Sequence, residues 1–243
     1  MITVCIPTFN GARYIGDQLE SILFSPLVSE VLVSDDGSED QTIDIVESFN
    51  DKRIRVVRGP GQGLIKNYEY LFSLAARDYI FLADQDDVWL PNKVEVMLQH
   101  LQDADMVVCD CMVVDEQLNL MYPSFFSLQH SRPGLFYNLL RNHYLGCCMA
   151  FRKSLLTYAL PFPRNLPMHD WWLGLIAEAF GKVDFVNQQL VMHRRHGGNA
   201  SPTSERSKVP MFTRLRWRAG LAIELLGRSR MHQRRIKKAR AKL

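Results

Sequence analysis

The chain has 243 residues, 47% hydrophobic and 23% charged, proportions that suit one sizeable buried core and exclude a collagen-like, low-complexity or disordered protein. Its net charge of +3 conceals a division: residues 204–243 hold thirteen Lys/Arg and two Glu, a net of +11, leaving the first 203 residues at −8. An acidic body therefore carries a basic tail.

In chain order, residues 2–6 are predicted as a buried strand stopped by Pro7. Tyr14, Ile15, Gln18, Leu19, Ile22 and Leu23 then recur at helical spacing. A second strand over 31–33 ends in Ser34-Asp-Asp-Gly-Ser38, and Asp40 is placed to cap a helix with Ile43, Val46 and Phe49 on one face. A third strand covers 54–57, and the turn Gly59-Pro-Gly-Gln-Gly63 leads into another helix. The fourth strand, 79–83, ends in Asp84-Gln-Asp-Asp87. This alternation predicts an α/β fold, a mostly parallel central sheet flanked by helices. Ligands of such sheets bind beyond the carboxyl ends of the strands, so Thr8, Asp36, Asp84 and Asp86 are expected on one rim.

Beyond a strand at 106–115 the pattern weakens. A strand is predicted over 146–151 and a helix over 170–180 with Asp170 as its cap. The five cysteines fit neither a zinc spacing nor a small disulfide framework, which points to a reducing cytoplasm. The N-terminus lacks a secretion leader, and no run reaches the roughly eighteen apolar residues of a bilayer span.

Carboxylates as close as Asp84, Asp86 and Asp87 repel one another and call for a cation. Mg²⁺ or Mn²⁺ suits them, being a hard ion that takes oxygen ligands and shares them with a diphosphate; a solvated turn before the next helix is the plain alternative. In Asp35-Asp36-Gly37-Ser38 a carboxylate can accept from a base or ribose, or simply close the turn. Pro7-Thr8-Phe9-Asn10 offers polar groups to the same ligand.

Three segments, Ile6-Pro-Thr-Phe-Asn-Gly11, Val33-Ser-Asp-Asp-Gly-Ser-Glu-Asp40 and Phe81-Leu-Ala-Asp-Gln-Asp-Asp-Val-Trp-Leu-Pro-Asn-Lys93, together closely resemble family 2 glycosyltransferases. The resemblance extends to His196-Gly-Gly-Asn199 and leaves out the tail. It implies a GT-A fold over 1–203, with a nucleotide-sugar half at 1–110 and an acceptor half at 111–203, followed by a basic amphipathic helical tail at 204–243. It also implies roles: Asp36 holds the nucleobase with Pro7, Thr8 and Asn10 beside it, Asp84 faces the ribose or sugar, and Asp86 ligates the metal. Lys66 is a further donor contact, unless it is a solvated lysine.

Met168-His-Asp-Trp-Trp-Leu173 places a carboxylate beside two aromatic side chains, a setting that raises proton affinity. The resemblance assigns Asp170 the role of general base, and Trp171 and Trp172 offer flat faces to an acceptor sugar; an N-cap with core tryptophans is the plain alternative. Many members have Glu-Asp where this chain has His169-Asp170, a variant similar to bacterial rhamnosyltransferases. In His193-Arg-Arg-His-Gly-Gly-Asn199 the resemblance points to His196 near the metal and diphosphate, with Arg195 as a phosphate contact. Gly146 and Cys147 align with a segment bordering the acceptor.

The expected activity is inverting, metal-dependent transfer of one sugar, rhamnose from dTDP-rhamnose first and a UDP-hexose second. The acceptor is a lipid-linked saccharide of bacterial surface polysaccharide (O-antigen or capsule) assembly. A metal phosphohydrolase and a non-catalytic nucleotide-binding module are the competing classes. The tail mixes Phe212, Leu215, Trp217, Leu221, Ile223, Leu225 and Leu226 with arginines, which predicts peripheral attachment to the anionic inner face of the cell membrane rather than to nucleic acid. Thr213-Arg-Leu-Arg-Trp217 lacks the Gln of the processive synthases' Gln-x-x-Arg-Trp, which favours single addition.

Overall fold

The structure is a computed structural model that describes residues 1–197 and 209–240, with side chains to residue 233. The first part of the chain alternates strands and helices, as the sequence predicts: β1 (Ile2–Thr8), α1 (Ile15–Leu23), β2 (Val28–Asp35), α2 (Thr42–Ser48), β3 (Ile54–Arg58), α3 (Leu64–Leu74) and β4 (Tyr79–Leu82). There follow β5 (Val88–Trp89), α4 (Lys93–His100), β6 (Met106–Val114), β7 (Leu120–Tyr122), α5 (Phe125–Gln129) and α6 (Leu135–Leu140). The chain then continues through β8 (Met149–Arg152), α7 (Leu156–Ala159), α8 (His169–Phe180), β9 (Val183–Arg194) and α9 (Met211–Arg240).

The strands form one sheet in the order β3-β2-β1-β4-β8-β6-β9-β5, with β7 paired to β6. β1 to β4 are mutually parallel, β8 runs antiparallel to both β4 and β6, and β6 is parallel to β9. Every residue of β1 is buried, so a continuous apolar run is what this position requires. α1 turns Ile15, Leu19 and Ile22 into the same core. Because the chain moves from β1 outward through β2 to β3 and then returns to β4 on the other side of β1, the sheet has a switch point between β1 and β4. A cleft opens there.

Several expected boundaries differ. Pro7 does not stop β1, which runs on to Thr8. β1 pairs with β4 only as far as Cys5, and at Pro7 the missing N–H faces that open side, so no ladder bond is lost. Residues 146–151 are not one strand: Gly146–Cys148 is a 3-10 turn and β8 begins at Met149. Asp170 is not a cap. Met168 holds the N-cap of α8 and Asp170 lies inside its first turn.

The tail folds back as α9, which packs on α6 and α8. Leu221 and Leu225 are buried there, Arg228 donates to the carbonyls of Leu160 and Pro161, and His232 meets the rings of Tyr158 and Phe180. The opposite side of α9 exposes Met211, Phe212, Leu215, Ile223 and Leu226. The boundary expected at 203–204, together with Gly198 and Asn199, lies outside the described residues.

Candidate active site

The cleft at the switch point has a volume of about 460 Å³. Pro7 and Thr8 from β1, Asp36 after β2, Gly61 and Gly63 before α3, and Asp84, Gln85 and Asp86 after β4 form one side. Leu145, Gly146, Met168, His169, Asp170 and His193 form the other.

Asp35 and Asp36 divide their work. Asp35 closes the turn, accepting from the amides of Gly37 and Ser38 and from the Ser38 hydroxyl. Asp36 accepts from the amides of Gly61 at 2.9 Å and Gly63 at 2.7 Å. Those glycines have φ of +65° and +82°, a region glycine enters without steric penalty. Asp36 therefore shapes the glycine turn as well as the cleft wall. Gln85 clips the ends of β1 and β4 together: Oε1 accepts from the Thr8 hydroxyl at 2.6 Å and the Phe9 amide at 2.9 Å, and Nε2 donates to the Phe9 carbonyl.

Beyond β4 the carboxylates crowd. Burial, then the charges of Asp87 and Asp86, push Asp84 up to about 7. Burial and Asp87 also raise Asp86, although His196 opposes them with Nε2 at 2.7 Å from Asp86 Oδ2. Such a set fits a divalent cation: crowded oxygen donors, one imidazole, and a surplus of negative charge that needs compensation. Asp87 behaves differently. It is fully buried, and its Oδ1 lies 2.9 Å from His193 Nδ1. Burial disfavours both charged forms, yet their attraction prevails, holding Asp87 below its usual range and His193 well above. Cys147 Sγ is 3.8 Å from the same nitrogen. The three donor atoms lie within 4.8 Å of one another, but the opposite charges of Asp87 and His193 already satisfy each other.

Across the cleft, Asp170 is 4% exposed. Burial pushes it up to about 6, against the lowering effect of hydrogen bonds from the Trp171 amide at 2.5 Å and Asn142 Nδ2 at 3.1 Å. The result is a carboxylate that takes up a proton near neutral pH while remaining mostly ionised there. Lys93, itself fully buried, fixes this side by donating to the Cys147 carbonyl at 2.6 Å, with its ammonium 3.7 Å above the Trp89 ring.

The family model for Glycosyl transferase family 2 matches residues 3–158. The chain belongs to that family. Glycosyltransferase GlyG of Streptococcus pneumoniae is 31% identical over 229 residues, covering 84% of this chain and 73% of the relative. The Escherichia coli enzyme WfgD is named UDP-Glc:alpha-D-GlcNAc-diphosphoundecaprenol beta-1,3-glucosyltransferase. It is 24% identical over 221 residues, covering 86% of this chain and 81% of its own. Among solved structures, S. aureus TarS 1-349 in complex with UDP-GlcNAc superposes with a TM-score of 0.70 at 20% identity. That match covers 92% of this chain but only 66% of the TarS chain, and it shows the GT-A fold.

Of the residues expected at this family 2 site, Pro7, Thr8, Asp36, Asp84, Asp86, Gly146 and Asp170 line the cleft, and His196 reaches it through Asp86. Others do not. Asn10 Oδ1 accepts from the Glu39 amide, and Lys66 donates to Glu69 at 2.5 Å. Arg195 continues past β9, its amide bonded to the Val114 carbonyl. Cys147 is sealed in the core behind Gly146. The expected stacking faces are corrected as well. Trp172 is fully buried with Nε1 on the Ala159 carbonyl, and Trp171 is buried with Nε1 on the Asn138 carbonyl, so both are core residues of α8. The motifs contain Gln85, Lys93 and His193 without pointing to the part each plays in the site. Hydrophobicity carries the signal for His193: it directly follows the apolar Leu190-Val191-Met192 of β9 and is itself buried.

Proposed function

We propose that this family 2 glycosyltransferase moves one sugar from a nucleoside diphosphate donor to a hydroxyl of a lipid-linked saccharide, with inversion at the anomeric carbon. The observation that carries this reading is the placement of Asp170, a buried carboxylate of raised proton affinity, on the cleft that Asp36, Asp84 and Asp86 also line. Asp170 takes the proton of the acceptor hydroxyl while that oxygen forms its bond to the anomeric carbon. The bond from that carbon to the diphosphate oxygen breaks on the opposite face, its electron pair leaving with the diphosphate. Asp86 and His196 would hold a Mg²⁺ or Mn²⁺ ion, which when bound supplies positive charge to the diphosphate.

The donor we favour is dTDP-rhamnose, followed by a UDP-hexose; the similarity of WfgD supports the lipid-linked acceptor. Attachment to an anionic membrane face suits such an acceptor. The outward apolar residues of α9 stand among exposed Arg214, Arg216 and Arg230, and no helix among the described residues is long and apolar enough to cross a bilayer. The test is a thermal-shift panel of dTDP and UDP sugars with Mn²⁺ or Mg²⁺, followed by turnover with undecaprenyl-linked acceptors. Selective stabilisation by one donor and nucleoside diphosphate release that requires acceptor are expected. Hydrolysis without acceptor, or binding without turnover, would refute the reading.

A further inference from the structure

The least explained side chain in the cleft is His169. It opens α8 directly before Asp170, is 2% exposed, and lines the cavity. Neither Nδ1 nor Nε2 has a hydrogen-bond partner among the described residues. Buried polar atoms are nearly always paired, and two orphans on one ring that borders a cavity call for a partner from outside the protein. The ring is not free to search for one elsewhere. It stacks on Tyr68 with centroids 4.0 Å apart and planes 25° from parallel, and the Tyr68 hydroxyl is 3.1 Å from Asp84 Oδ1. Gly146 completes the arrangement: a Cβ there would lie 2.8 Å from His169 Nε2. The missing side chain keeps space beside that nitrogen.

We infer that His169 reads the transferred sugar, its Nε2 beside Gly146 exchanging a hydrogen bond with a hydroxyl of a neutral hexose or deoxyhexose. This rests on the glycosyltransferase reading above and adds the residue that discriminates the sugar. Burial pushes the imidazole down to about 3, so at neutral pH the ring is uncharged, with one donor and one acceptor. A hydroxyl satisfies either nitrogen. A sugar carboxylate could use only the donor, and it would stand beside Asp84 and Asp170 with no cation at His169 to balance it. A uronate is therefore rejected.

Calorimetric titration with Mn²⁺ tests this, comparing UDP, UDP-glucose, UDP-glucuronate, dTDP and dTDP-rhamnose. Wild type is expected to bind one neutral-sugar nucleotide at least about tenfold more tightly than the matching nucleoside diphosphate, the worth of one or two hydrogen bonds. His169→Phe keeps the stack on Tyr68 and removes both nitrogens. It should retain nucleoside diphosphate affinity, lose the increment due to the sugar, and melt at a higher temperature without ligand because two orphaned polar atoms are gone. His169→Asn, a smaller change that leaves one donor and one acceptor, should keep part of the increment. An unchanged increment in His169→Phe, or a wild-type preference for UDP-glucuronate, overturns the assignment alone. Failure of wild type to bind any of the nucleotides overturns the glycosyltransferase reading and this assignment with it.

Discussion

The carboxylate of Asp86 and the imidazole of His196 meet at 2.7 Å although 110 residues separate them in sequence. β4 delivers one to the cleft and the end of β9 delivers the other, so the contact exists only once the sheet is complete. If the pair holds a divalent cation, Asp86→Ala should abolish the Mn²⁺-dependent part of donor binding. His196→Ala, which leaves the carboxylates in place, should weaken it on the order of 10- to 100-fold. Titration of UDP with and without Mn²⁺ measures both. Identical metal dependence in wild type and Asp86→Ala would remove the assignment.

Asp170 is expected to act as general base, and its raised proton affinity sets the pH dependence. The base works ionised, so kcat/KM should be level above about pH 6 and fall about tenfold per unit below it. Asp170→Asn should lower turnover by roughly 10²- to 10⁴-fold and remove that acid limb while donor affinity survives. A variant retaining near-normal turnover would transfer the role elsewhere.

The same carboxylate predicts a stability difference of opposite benefit. Its folded value, about 6, lies above the ordinary carboxylate range, so the folded state favours the protonated form. The stabilising contribution is complete below about pH 4 and is lost as pH rises through 6. Ionisation at neutral pH therefore costs about 3 kcal/mol, an upper figure for a buried acid. Asp170→Asn should melt higher than wild type at pH 7.5, with the gap closing toward pH 4. A gap independent of pH would show that the carboxylate is not strained by burial.

The first half of the fold was legible because β1, β2 and β4 are largely apolar runs, the last two leading into acids, and the strand ends are where the cleft forms. The second half was not, because β8 and β9 owe their places to partners distant in sequence: β8 lies antiparallel between β4 and β6. The same reason hid the pairing of Asp87 with His193, which joins two segments through the core. The tryptophans misled for a different cause. Trp171 and Trp172 stand beside a functional carboxylate in sequence, but successive helical residues point in different directions, and theirs lead to carbonyls in the interior. His169 shares that ambiguity, and only the absence of hydrogen-bond partners for its two nitrogens among the described residues separates it from an ordinary core histidine.

The two sides of α9 should respond differently to substitution. Leu215, Ile223 and Leu226 are exposed, so replacing all three with Glu should leave the melting temperature nearly unchanged, each surface change costing within about 0.5 kcal/mol. The same triple variant should lose co-sedimentation with anionic vesicles, because it removes apolar surface and adds negative charge. Arg228 faces the other way, capping the carbonyls of Leu160 and Pro161 with its guanidinium over Trp172. Arg228→Ala should lower the melting temperature, since it leaves two carbonyls without their donor, a loss of about 1–3 kcal/mol. Vesicle binding unaffected by the triple substitution would detach the outward stripe from the membrane, and a concentration-dependent dimer abolished by the same substitution would assign it to a second copy of the chain.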